Sequence, residues 1–275
     1  MFATLRQYFG GSISYGERPP LVLINGLAEQ GESWFRSVDY WRKWFDVHLP
    51  GILVYDGPVM QRRLASGQPV SVDFLADRLE QYLDEFVQRP PYRLVASSLG
   101  GQVAVEYTSR HPEKVAGLVL ICPSGMGSEE KLPITEGARH KDYQGLVGSV
   151  FHNRRLVPPA VVDYYARKFN HKPWRKALFQ TVRGTKRHSV RDKLRRIERP
   201  TLVICGREDQ IVDPLVVESA VAGIPSMKFV MLDQCGHAPQ LEMPGVVNPL
   251  VARFLRAEHL PLAPIAPEPA LAIEG

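Results

Sequence analysis

Three side chains in this sequence are placed as a nucleophile, a base and an orienting acid would be: Ser98, His237 and Asp209. A serine hydroxyl is a weak nucleophile until a base takes its proton. An imidazole serves best as that base when a carboxylate fixes its tautomer. Ser98 lies in YRLVASSLGGQVAVEY (92–107), where an apolar run of strand character gives way to one of helical period. Asp209 lies in GREDQIVDP and His237 in DQCGHAPQLE, each just past another apolar run. Three loops at strand exits can therefore meet on one edge of a sheet.

The elbow at Ser98 follows from crowding. A strand that turns abruptly into a helix leaves one residue at the apex, its side chain exposed and its backbone strained. The residues two before and two after must be small. Ala96-Ser97-Ser98-Leu99-Gly100 reads small, x, Ser, x, Gly, a nucleophile-elbow pattern with Ala in the first position. Ser97 at the apex would put Val95 and Leu99 in the crowded places, so Ser98 is the candidate and Ser97 ends the strand. The backbone N–H of Leu99, next in the chain, is placed to donate to an oxyanion. Without context the same motif would also serve as a glycine-rich helix start that binds an anion or only packs.

Several neighbouring residues compete for these roles. Glu208 adjoins Asp209, but the G-x-x-D spacing from Gly206 favours Asp209. Asp213 and Asp233 read as turn residues, Cys235 as a small filler rather than a reactive thiol, and Cys122 and Cys205 as core. His140, His152, His171 and His188 lack metal-ligand spacing, so no metal is expected. Nothing resembles a phosphate loop or G-x-G-x-x-G, so no nucleotide cofactor is expected.

The elements that must position these residues alternate. Strands are expected at 20–25, 51–56, 92–97, 115–121, 201–206 and 228–232. Helices are expected at 33–45, from the Ser71 cap to about 88 with Leu75, Leu79, Tyr82 and Phe86 on one face, at 99–111 and at 245–257. Short apolar strands separated by helices predict an α/β fold, a mainly parallel central sheet flanked by helices. Residues 126–199 interrupt this pattern with helical stretches at 159–169, 173–182 and 189–197. The expected division is a core of 1–125 and 200–258, a helical cap of 126–199, and a Pro/Ala-rich tail, 259–275, without fixed structure.

The insertion is also set apart by charge, with 18 Lys and Arg against 7 Asp and Glu, in a chain of net charge +5. A solvated helical face is the plain reading. Attraction of an anionic or carrier-linked substrate, or of a lipid surface, is the sharper one. Nucleic acid is not expected, because no groove-reading motif accompanies the charge. No apolar run reaches membrane-spanning length, and the opening MFATLRQYFGGS lacks the apolar core of a signal peptide. Three cysteines without a CxxC pair fit a reducing, cytoplasmic setting.

Over roughly 12–257 the sequence resembles the α/β-hydrolase superfamily, through LINGLAEQ, ASSLGGQVA, GREDQIVDP and CGHAPQLEMP. The chain order Ser98, Asp209, His237 is that family's order of catalytic triad members. The resemblance implies a second oxyanion-hole donor, the Leu27 N–H, in a loop usually marked His-Gly-x; Asn25 replaces that His. It implies a cofactor-free serine hydrolase with an inserted cap, and a carboxylic ester as substrate. The same triad would also serve a carbon–carbon bond hydrolase of diketones, a thioesterase, a perhydrolase or an acyltransferase. A serine nucleophile argues against family members that use Asp there, and an intact triad against a non-catalytic binding module.

Overall fold

The computed structural model describes residues 18–29, 31–127, 140–157 and 159–257. The expected tail, 259–275, and part of the insertion, 128–139, lie outside the described residues.

Six strands form one sheet: β1 (Pro20–Ile24), β2 (Asp46–His48), β3 (Tyr92–Ser97), β4 (Val115–Ile121), β5 (Thr201–Gly206) and β6 (Met227–Leu232). Their order is β2-β1-β3-β4-β5-β6, and every pairing is parallel. Leu21 to Ile24, Leu94 to Ala96 and Leu118 to Ile121 are fully buried. Strands covered on both faces must be apolar at consecutive positions, which is why these runs do not alternate with polar residues.

The flanking helices of the core are α1 (Val38–Trp41), α2 (Pro58–Ala65), α3 (Val72–Tyr82), α4 (Leu99–Arg110), α9 (Pro214–Val221), α10 (Pro239–Glu242) and α11 (Pro244–Arg256). Ser71 caps α3 as expected, its Oγ accepting from the Phe74 N–H at 3.2 Å. Asp213 caps α9 by accepting from Leu215 N–H at 2.9 Å.

Within the core, three expectations need correction. The run 51–56 is a pair of turns, and the second strand is the shorter β2 before it. Ile52, Leu53 and Tyr55 still reach the core, so burial is satisfied without a ladder, and Pro50 has no N–H to give one. The helix expected over 33–45 is a 3₁₀ turn, Gly31–Trp34, followed by the short α1. The buried indoles explain the break: Trp34 Nε1 donates to Asn25 Oδ1 and Trp41 Nε1 to the Asn248 carbonyl, and the chain bends between them. Finally, α3 ends at Tyr82 and continues as a π turn, Leu83–Val87. The wider turn rotates the face, so Leu83 and Val87 are buried and Phe86 is exposed.

Between β4 and β5 the insertion holds α5 (Tyr143–Gly148), α6 (Pro159–Asn170), α7 (Lys172–Thr185) and α8 (Arg191–Leu194), with no strand among the described residues. The helix expected over 189–197 is only the four residues of α8. Fully buried Trp174 anchors the insertion, its ring edge-on to Tyr55 of the core and Phe169 of α6. Buried Glu106 on α4 takes Arg110, His188 and Lys193, tying the insertion's end to the core.

Candidate active site

Sheet register sets the site. Ser97 pairs with Ile121, Ile121 with Ile204, and Gly206 with Leu232. The loops carrying Ser98, Cys122, Asp209 and His237 therefore leave the same edge.

Ser98 has φ 50° and ψ −119°, outside the regions an L-residue favours. Such a backbone costs about 1–3 kcal/mol and persists only when its surroundings hold it. Here the Ser98 N–H donates to the Ile121 carbonyl at 3.0 Å, while its carbonyl accepts from Gly101 and Ser124 N–H groups at 2.8 and 3.1 Å. A Cβ on Gly100 would lie 2.5 Å from the Ile24 carbonyl oxygen, so the small residue two beyond the apex is a steric necessity.

Asp209 and His237 are joined directly. His237 Nδ1 lies 2.7 Å from Asp209 Oδ2, with 5% and 1% of their side chains exposed. Asp209 Oδ1 accepts from the N–H groups of Ile211 and Val212 at 2.8 and 3.0 Å, which fixes the carboxylate plane. Glu208 points elsewhere, accepting from Cys235 N–H at 2.9 Å. Asp233 pairs with Arg207 at the surface. On the histidine side, the His237 N–H donates to the Val150 carbonyl of the insertion at 2.8 Å. Glu242 accepts from the N–H groups of Gly236, His152 and Asn153, so one carboxylate binds the histidine loop to the insertion. Burial disfavours the imidazolium, but the Asp209 carboxylate outweighs that cost and holds the His237 pKa well above the usual imidazole value. Among the described residues, the Ser98 hydroxyl makes no hydrogen bond to His237. Contacts of this kind commonly tighten only when substrate is bound.

The loop after β1 approaches the elbow because Ile24 pairs with Ala96. Its amides are mostly committed. Gly26 N–H donates to Glu29 Oε2 at 3.0 Å and Ala28 N–H to Tyr55 Oη at 3.0 Å. Leu27 N–H, between them, has no partner among the described residues. Leu99 N–H opens α4, where helical partners are missing by construction. Asn25 is engaged by the Trp34 indole, a local bond that a histidine ring would make differently.

Two further residues border the site, Cys122, read from the sequence as core and fully buried, and Glu29, which the sequence reading missed. Cys122 directly follows β4 at φ 43°, and the ligand atoms of Cys122, Asp209 and His237 lie within 4.8 Å of one another. Among the described residues this is the one grouping of three such atoms close enough for an ion, and its Asp and His already bind each other. Burial pushes the Cys122 thiol well up, as it does Cys235, so neither is a thiolate. The other is Glu29, a partly buried carboxyl in the loop after β1. Its signal was a lone carboxylate four residues past Asn25 in an otherwise uncharged tight turn.

A parallel α/β sheet carrying a strained serine elbow beside a buried Asp–His pair defines the class: an α/β-hydrolase fold. Residues 21–250 match the model of the alpha/beta hydrolase family, and the chain belongs to that family. It is 24% identical to human monoacylglycerol lipase ABHD6 over 266 residues, 89% of this chain and 77% of that protein. Among solved structures it is similar to a membrane phospholipase A described as a bacterial virulence factor, with a TM-score of 0.74 and 23% identity, covering 88% of this chain and 81% of the other. It is also similar to the 2-hydroxy-6-oxo-6-phenylhexa-2,4-dienoate hydrolase of Rhodococcus sp. strain RHA1, with a TM-score of 0.73 and 20% identity over 88% and 92% of the two chains. Family membership agrees with the hydrolase expected from the sequence. Among the described residues no helix is long and apolar enough to cross a membrane.

Proposed function

We propose that this protein cleaves carboxylic esters through an acyl-enzyme, with Ser98 as nucleophile, His237 as general base and acid, and Asp209 as the orienting acid. The observation that carries the reading is the buried 2.7 Å contact of His237 Nδ1 with Asp209, on the strand-exit edge that also holds the strained Ser98. With Nδ1 committed, Nε2 is the nitrogen that takes the Ser98 proton. Ser98 Oγ attacks the acyl carbon, and the negative oxygen of the tetrahedral intermediate is held by the Leu27 and Leu99 N–H groups. His237 returns its proton to the departing alcohol, leaving the acyl group on Ser98. Water then gives a proton to His237 as its oxygen attacks the ester carbon. The second intermediate collapses, the proton goes back to Ser98 Oγ, and the carboxylic acid leaves.

The helices of 126–199 form the cap over this site in the same reading. Its support is the insertion's grip on both catalytic loops: Val150 on the His237 amide, and the Tyr165 hydroxyl on the Ala28 carbonyl at 3.2 Å. A cytoplasmic location is supported by three cysteines that are buried and unpaired. The substrate in this reading is a small acyl ester, and the basic cap favours an anionic one.

The test is hydrolysis of nitrophenyl esters of graded chain length by the wild-type protein and Ser98→Ala. Turnover that disappears in the variant is the expected result, and the preferred chain length measures the pocket. Undiminished turnover by folded Ser98→Ala would sink the mechanism.

A further inference from the structure

We propose that Glu29 is a positioning residue for the oxyanion-binding Leu27 amide: its carboxyl clasps the loop after β1 against the strand that carries the nucleophile. The proposal rests on the triad reading and adds a residue that reading does not use.

The geometry is closed on three sides. Glu29 Oε2 accepts from Gly26 N–H at 3.0 Å and from Ser33 Oγ at 3.3 Å. Its Oε1 lies 3.4 Å from Oγ of Ser97, the residue before the nucleophile. A Cβ on Gly26 would meet Glu29 Oε1 at 2.9 Å and Ser98 Cβ at 3.0 Å, so carboxyl, loop and nucleophile share one tight space. The backbone closes the same turn, Glu29 N–H donating to the Gly26 carbonyl at 3.3 Å. Leu27 is the next residue after Gly26. An amide that must face a developing oxyanion is thus held from its N-terminal side by Glu29 and from its C-terminal side by Tyr55, through Ala28.

The clasp also has a preferred charge. Among the described residues no Lys or Arg pairs with Glu29. The titratable groups that face it are His237, Tyr55 and Tyr165. Burial raises the Glu29 pKa above the ordinary carboxyl value, against the Gly26 hydrogen bond and the nearby His237, which lower it. The neutral acid suits the chemistry as well. A carboxylate here would oppose the negative oxygen forming beside Leu27, and in a partly buried loop water screens that repulsion less than at the open surface. As the neutral acid, Glu29 keeps the carbonyl-type acceptor for Gly26 N–H and turns its O–H toward Ser97 Oγ. Glutamine reproduces that pattern of acceptor and donor without the ability to ionise.

The experiment compares wild type, Glu29→Gln and Glu29→Ala by kcat, KM and pH profile on one nitrophenyl ester. Misaiming one donor costs about tenfold to a hundredfold. Glu29→Ala is therefore expected to lose kcat by that factor, with KM changed less than about twofold. Glu29→Gln is expected to keep wild-type kcat, and to lack any fall in rate that the wild type shows as pH rises through the raised Glu29 pKa. A Glu29→Gln enzyme as impaired as Glu29→Ala at every pH would overturn the proposal, because the charge and not the clasp would then matter. So would a Glu29→Ala enzyme with wild-type kcat. If Glu29→Ala does not fold, the pH profile of Glu29→Gln decides alone. Ser98→Ala run in parallel separates this proposal from the triad: turnover by that variant removes the triad reading, whereas a dead Ser98→Ala with an unaffected Glu29→Ala removes the clasp only.

Discussion

Asp209 divides its two oxygens between the backbone and the imidazole: Oδ1 accepts from the amides of Ile211 and Val212, and Oδ2 alone meets His237 Nδ1 at 2.7 Å. The carboxylate cannot rotate away without breaking two backbone bonds. Asp209→Asn must choose. Turning its NH₂ toward His237 leaves the imidazole in the wrong tautomer, with its proton on Nε2. We expect kcat/KM to fall about 10³–10⁴-fold, with the fold intact by circular dichroism. A loss below about tenfold would mean that another acid orients the histidine.

The same pair sets a pH dependence. In the proposed mechanism His237 acts as a base only when neutral, and its pKa lies well above the usual imidazole value. The rate on the acid side is therefore expected to rise with pH through a midpoint higher than that of a free imidazole. Removing the Asp209 charge should move that midpoint down. Linkage gives a second readout. A raised folded pKa stabilises the protein fully below the unfolded value, and that contribution is lost as pH rises through the folded one. Wild type should lose Tm relative to His237→Gln across that interval, which a melting series over pH measures.

Much of this was legible before any coordinates. β4 and β5 lie where the apolar runs ended, because a strand buried on both faces has no other way to read. The elbow was legible because crowding permits few residues at Ala96 and Gly100. The run 51–56 was misread because hydrophobicity reports burial, and Tyr55 is buried through a turn whose hydroxyl serves the Ala28 amide. Glu29 was overlooked for a related reason. Its role depends on Ser33, Ser97 and Gly26 converging, and only Gly26 and Ser33 are near it in the chain.

Gly206 ends β5 where the acid and histidine loops touch. A Cβ there would lie 2.1 Å from the Gly236 carbonyl oxygen and 2.2 Å from that of Cys235. Those are backbone atoms on the histidine's own loop, so no side chain can yield. Gly206→Ala should cost about 1–3 kcal/mol or more, from overpacking. In a chain of this size each kcal/mol lowers Tm by about 2–4 °C. Activity should fall together with Tm, since relief of the clash moves His237 away from Asp209. An unchanged Tm in a melting scan would refute the steric argument.

The basic insertion makes the last prediction. A cavity of about 550 Å³, lined by His152, Asn153, Arg154, Arg155 and Gln234, adjoins the histidine loop. Arg154 and Arg155 have no acidic partner among the described residues, whereas Lys168 is neutralised by Asp56 and Lys193 by Glu106. Unpaired charge beside a reactive loop raises the local concentration of anions, and salt removes the effect because screening acts within about 8 Å at physiological ionic strength. An ester with a distal carboxylate should therefore be hydrolysed with higher kcat/KM than its neutral isostere, and added salt should narrow the difference. Arg154→Glu with Arg155→Glu should lower kcat/KM for the anionic ester several-fold through KM and leave the neutral one unchanged. Rates on the two esters that respond alike to salt and to the charge reversal would mean that these arginines only keep the helical face in water.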